Sequence, residues 1–190
     1  MSITDPAGRE TIRLVALIGS LRAASVTRVV FDAAVELLPA GVELGEHALG
    51  DLPLYNGDVE AAGDPVAVVA LKAAVEESDG LILFTPEYNR SIPAVTKNAI
   101  DWLSRVPGDS PLSRTVTGVV AATPGRHEVQ GVRRHLADSL SGISGHFFDT
   151  TLGIGSLNRR STDGHLTDSE ARALLEGWLS DFASYVDRHR

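Results

Sequence analysis

Apolar and polar positions along the chain alternate between two rhythms, short unbroken apolar runs and longer stretches in which apolar residues return at helical spacing. The first run holds Ile12, Leu14, Val15, Ala16, Leu17 and Ile18, broken only by Arg13. A run of this kind suits a strand covered on both faces, as in parallel sheets flanked by helices. Val29, Val30, Ala33, Ala34, Leu37 and Leu38 then mark a first helix, stopped by Pro39-Ala40-Gly41. Val42 to Ala48 alternates as a second strand. Asp64 and Pro65 read as an N-cap acceptor and a proline at the first helical position, opening a helix with Val66, Val69 and Ala73 that ends near Ser78. Leu81 to Phe84 is a third strand, followed by a helix that Pro93 opens and that runs through Ala99, Ile100, Trp102 and Leu103 toward Val106-Pro107-Gly108. Thr115 to Ala122 is a fourth strand, with Val129, Val132, Leu136 and Leu140 on the next helix. A fifth strand is placed within Ile143 to Thr150, around His146, Phe147 and Phe148, with a Gly/Ser/Asn/Arg-rich connection to about Gly164. Thr167-Asp168-Ser169-Glu170 matches a capping box ahead of a last helix carrying Ala171, Leu174, Leu175, Trp178, Leu179 and Phe182.

Five strands alternating with five helices predict an α/β protein, a three-layer doubly wound five-stranded parallel sheet. With five strands the common arrangement is the flavodoxin-like order 2-1-3-4-5, whose ligand crevice lies outside the carboxyl ends of the strands at the switch between strands one and three. The turns after strands one, three and four then converge. The expected organisation is a single domain over residues 1–190, with Met1 to Glu10 as a loose N-terminal tail. Gly50 to Gly57 reads as a loop, yet it carries Leu52, Leu54 and Tyr55. It packs on its own domain, or it forms a partner contact or ligand rim.

The turn after the first strand, Gly19-Ser20-Leu21-Arg22-Ala23-Ala24-Ser25-Val26-Thr27, offers one glycine, three hydroxyls and an arginine ahead of a helix N-terminus. Free N–H groups and the positive end of the helix dipole favour an anion there. Neither G-x-x-x-x-G-K-[ST] nor G-x-G-x-x-G is present. Hydroxyl donors and a forked guanidinium suit a compact terminal phosphate, and a monophosphate nucleotide such as FMN fits this best. Taken alone, the same residues read equally well as a tight turn with a serine cap and a solvated arginine.

Composition narrows the chemistry further. The 190 residues are 43% hydrophobic and 22% charged, ordinary for a globular domain with a full core. No stretch approaches 18 uninterrupted apolar residues, and the first ten residues have no apolar signal core, so neither a membrane span nor a secretory signal is expected and the cytoplasm is the expected location. Cysteine is absent, which removes disulfides, thiolate nucleophiles and cysteine-ligated metals. Redox chemistry therefore requires a bound cofactor. A formal net charge of −8 argues against a nucleic-acid surface. The chain contains no G-x-S-x-G or H-E-x-x-H, and its six histidines have no ligand spacing.

Gly19-Ser20-x-Arg22-x-x-Ser25, together with Thr85-Pro86-Glu87-Tyr88-Asn89-x-Ser91-Ile92-Pro93-x-x-x-Lys97-Asn98-Ala99-Ile100-Asp101-Trp102, resembles the NADPH-dependent FMN reductase family, which includes quinone and chromate reductases. The pattern from about Ile12 to Tyr185 is compatible with it. The resemblance implies a flavodoxin-like fold and non-covalent FMN. It also implies an NADPH- or NADH-dependent ping-pong transfer of electrons to a small acceptor such as free flavin, a quinone, an azo compound or chromate. It assigns Ser20, Arg22, Ser25 and Thr27 to the flavin phosphate and Pro86, Glu87, Tyr88 and Asn89 to the ring side, with Val26 and Ser91 beside them as further cofactor-binding residues. Thr123, Pro124 and Gly125, with Arg126 beside them, fall on a third loop, whose Gly125 and Arg126 N–H groups would face the anionic side of reduced flavin. Two positions depart from the family: Thr27, often asparagine, and Ala94, commonly glycine. Tyr88 packs on the ring or nicotinamide, or anchors its own turn. A homodimer or homotetramer is implied as well. The competing reading is a flavodoxin-type FMN electron carrier acting with a protein partner.

Overall fold

The computed structural model describes residues 11–127 and 129–190; the expected tail Met1 to Glu10 lies outside the described residues. The chain runs β1 (Ile12–Ile18), α1 (Val26–Glu36), β2 (Val42–His47), α2 (Gly57–Ala61), α3 (Val66–Glu76), β3 (Gly80–Pro86), α4 (Ala94–Leu103), α5 (Pro111–Arg114), β4 (Val116–Ala122) and α6 (Gln130–Leu140). There follow β5 (His146–Phe147), β6 (Leu152–Ile154), α7 (Leu157–Arg160), β7 (Ser161–Thr162), β8 (His165–Leu166) and α8 (Ser169–His189). The main sheet is parallel in the order β2-β1-β3-β4-β5, as the alternation predicts, with β6 also pairing β4.

The period of two along each strand divides the core between the faces of the sheet. Leu14, Ala16, Ile18, Ile82, Phe84 and Val120 meet α1 and α8 on one face, through Val30, Phe31, Leu175, Trp178, Leu179 and Phe182. Val15, Leu17, Leu81, Leu83, Val119 and Ala121 meet α3, α4 and α6 on the other, through Leu71, Val75, Ile100, Leu103, Val132 and Leu136. Every residue of β3 and β4 is buried, which explains their unbroken apolar character. Gly118 belongs to this packing, because a Cβ there would stand 2.7 Å from Phe182 and 2.9 Å from Trp178.

Several boundaries differ from the sequence reading. The fifth strand is split: β5 pairs Val116 and Thr117, and β6 resumes at Val120 to Ala122. Between them Phe148 turns into the core against Trp178, Phe182 and Tyr185, and the Trp178 indole N–H donates to the Thr150 carbonyl. The Gly/Ser/Asn/Arg-rich connection carries α7 and the β7–β8 hairpin. Pro65 is itself the N-cap of α3, and Asp64 instead accepts from Lys72 at 2.7 Å. At α8 the cap is Asp168, accepting from Ala171 N at 2.9 Å, so Thr167 lies outside the helix. The apolar loop packs on its own chain: Asn98 accepts from Tyr55 N and donates to Pro53 O, while Trp102 Nε1 donates to the same carbonyl.

Candidate active site

Three strands end side by side, and their turns enclose one cavity of about 460 Å³. From the turn after β1 it is lined by Ser20, Arg22, Ala24, Ser25, Val26 and Thr27; from the turn after β3 by Pro86, Glu87 and Tyr88; and from the end of β4 by Ala122, Thr123 and Pro124. Ten of the fourteen residues singled out in the sequence are among these. Asn89, Ser91, Gly125 and Arg126 are not.

The first turn is a helix entrance with open valences. Ser25 caps α1, its Oγ accepting from Arg28 N at 3.1 Å, so the capping read from the sequence is real and coexists with a place in the cavity wall. The Val26 and Thr27 N–H groups lie ahead of the first intrahelical bond. Thr27 is fully buried, and among the described residues its Oγ1 has no hydrogen-bond partner. Arg28 is engaged by Glu46 through two hydrogen bonds that raise the guanidinium pKa and lower that of the carboxylate. Arg22, in contrast, is exposed and makes no ion pair with another described residue, so its charge is available to a ligand. Gly19 is required where the turn leaves the sheet, because a Cβ would stand 2.2 Å from Thr96 Oγ1 and 3.0 Å from Thr85 Oγ1.

The second turn is closed on itself. Tyr88 and Ser91 exchange backbone hydrogen bonds at 3.2 and 2.9 Å, and Asn89 and Arg90 between them adopt positive φ of 52° and 61°. Asn89 thus shapes the turn, since asparagine tolerates the left-handed region better than most residues. Ser91 Oγ lies 3.0 Å from His135 Nδ1, away from the cavity wall. Glu87 Oε2 accepts from Val132 N at 2.9 Å. Tyr88 keeps 47% of its surface exposed while lining the cavity.

In the third turn Gly125 N donates to Thr123 Oγ1 at 3.1 Å, so that donor is consumed within the turn and is not free for a ligand. The Thr123 hydroxyl, accepting there, retains its own proton for donation toward the cavity.

Asn158, from α7, completes the wall and was missed in the sequence. Its position follows from Leu157 N donating to Thr123 O at 3.2 Å, which ties α7 to the third turn. A signal was available: Ile154-Gly155-Ser156-Leu157 repeats Ile18-Gly19-Ser20-Leu21, a second strand end running into a polar turn. Among the described residues no group of three or more His, Asp or Glu is placed to hold a metal ion, and no helix is long and apolar enough to cross a membrane.

A doubly wound sheet with polar turns gathered at its carboxyl edge, one of them a helix entrance with unspent donors, defines a nucleotide-cofactor protein of flavodoxin-like fold. Residues 12–160 match the NADPH-dependent FMN reductase family, and the chain belongs to that family of oxidoreductases, which works with FMN and NAD(P)H. It is 32% identical over 183 residues to an NAD(P)H-dependent FMN reductase of Pseudomonas aeruginosa, covering 95% of this chain and 98% of that one. It is 36% identical over 175 residues to a quinone reductase of Pseudomonas putida, covering 92% and 94%. Among solved structures it resembles FerB, a flavoenzyme NAD(P)H:(acceptor) oxidoreductase from Paracoccus denitrificans. That match has a TM-score of 0.82 and 28% identity, and it covers 94% of this chain and 99% of FerB.

Proposed function

We propose that the protein binds one FMN in this cavity and uses NAD(P)H to reduce a small quinone or flavin in a ping-pong cycle. The supporting observation is the turn after β1: a buried threonine hydroxyl and an arginine, both without a partner among the described residues, line one cavity together with the first residues of α1, the donor set that a phosphate monoester satisfies. The residues present therefore fit the group. Ser20, Arg22, Ser25, Val26 and Thr27 hold the phosphate in this reading. Pro86, Glu87, Tyr88, Thr123 and Pro124 line the ring, while Asn89, Ser91 and Gly125 shape the turns that present them.

When bound, FMN supplies the hydride-accepting centre and returns the electrons to the acceptor. The protein contributes orientation and charge. Arg22 neutralises the phosphate, the Thr123 hydroxyl donates toward the ring edge, and Tyr88, half exposed at the mouth, offers a surface on which the nicotinamide and then the acceptor dock in turn. A cytoplasmic location and self-association as a dimer or tetramer complete the reading.

The test is to mix purified protein, FMN and NADPH without oxygen. Bleaching of the flavin absorbance, followed by its return on adding a benzoquinone, is expected. A flavin spectrum that NADPH leaves unchanged would end the proposal.

A further inference from the structure

α6 begins without a side-chain cap of its own among the described residues: its N-cap, Val129, is left-handed, with φ 48° and ψ 40°. The first-turn N–H groups of a helix need acceptors from elsewhere, and a negative charge suits that end of the dipole. Here the acceptor comes from the turn after β3, where Glu87 Oε2 takes the Val132 N–H at 2.9 Å. The contact is close because residue 131 is glycine. A Cβ there would stand 2.5 Å from the Arg90 carbonyl oxygen and 2.9 Å from Glu87 Oε2. One helical turn on, His135 Nδ1 lies 3.0 Å from Ser91 Oγ. α6 itself is fixed, with Val132 and Leu136 buried in the core. The turn it meets is a four-residue hairpin tip carrying two residues at positive φ.

We infer that Glu87 is a positioning residue: its carboxylate caps α6 from the neighbouring turn, and Gly131 admits it, so that α6 sets the height of Pro86 and Tyr88 over the crevice. This deepens the FMN reading and rests on it for the link to the site. It moves Glu87 from a direct contact of the ring to a residue that acts through α6. Glu87 is part of the cavity lining, and its carboxylate Oε2 is bonded to the helix.

The experiment compares the full-length protein with Glu87→Ala, Glu87→Gln, Gly131→Ala and the Glu87→Ala/Gly131→Ala double variant. Amide hydrogen exchange of residues 130–132 is followed without flavin, and the FMN dissociation constant is taken from flavin fluorescence. Glu87→Ala is expected to speed exchange at Val132 and to weaken FMN about fivefold, the scale of a lost helix cap. Glu87→Gln, which keeps an acceptor oxygen, recovers most of both. Gly131→Ala weakens FMN by a similar factor, and the double variant is little worse than either single one. Unchanged exchange in Glu87→Ala, or losses that multiply in the double variant, would overturn the inference. Exchange is read without flavin, so a wild-type protein that binds no FMN sinks the functional reading separately and leaves the cap to be judged on its own.

Discussion

In the turn after β1, two cavity-wall residues have groups without partners among the described residues: Thr27 Oγ1 is buried and unbonded, and Arg22 has no counter-ion. In the turn after β3 the reverse holds. Tyr88 and Ser91 bond each other, Glu87 is taken by α6, and Ser91 meets His135. A buried hydroxyl left unsatisfied costs about 1–3 kcal/mol; Thr27 Oγ1 stands in the cavity wall, where a ligand can complete it, whereas Thr96 Oγ1, the other such atom among the described residues, is on α4 outside the lining. The two turns therefore divide the work. The first is built to be finished by an anionic ligand, and the second is finished beforehand, a preorganised platform whose shape does not depend on what lands on it.

Substitutions separate the two. Arg22→Ala should give the largest effect, weakening FMN by about 1.5–3 kcal/mol, the scale of a charge-assisted hydrogen bond. It should leave the melting temperature of the flavin-free protein unchanged, because Arg22 has no partner among the described residues to lose; titration and calorimetry measure both. Thr27→Val is expected to cost about 1 kcal/mol of FMN affinity while leaving the flavin-free protein as stable or more stable, since it removes an unsatisfied group at nearly constant shape. A destabilised flavin-free Thr27→Val would mean that the hydroxyl serves the fold.

The smallest effect is one of pH, and it arises away from both turns. Burial lowers the pKa of His47 below 6.5, so the unfolded chain takes up its proton first. The stability it contributes is complete above pH 6.5 and is lost as pH falls below that value. The hydrogen bond from Arg28 lowers the pKa of Glu46 below 4.5, so a second loss follows at still lower pH. Between pH 7.5 and 5.5 the melting temperature should fall by a few degrees at most, roughly what a fraction of a kcal/mol yields at this size. His47→Gln should flatten that slope.

The sheet order was legible because β3 and β4 are buried on both faces, so their sequences are unbroken apolar runs with polar turns behind them. β6 was not legible. It has three residues, too few to display a period, and the intrusion of Phe148 into the core separates it from β5. Asn158 follows it, marked only by the recurrence of Ile-Gly-Ser-Leu just before it. The motif after β3 names Asn89 and Ser91 as cofactor-binding without distinguishing side chains that face a ligand from those that hold the turn. Residue types suited to positive φ are the same as those suited to polar contact, and the hydrogen bonds to α6 span 44 and 45 residues of chain. Gly125 posed the same problem, its N–H drawn back by the Thr123 hydroxyl two residues before it.

The claim that most depends on this division is that the turn after β1 receives a phosphate. The direct measurement is the affinity of the wild-type protein for FMN beside its affinity for riboflavin, the same ring and ribityl chain without the phosphate. The account predicts one FMN per chain bound at least about tenfold more tightly than riboflavin. Equal affinities would contradict it.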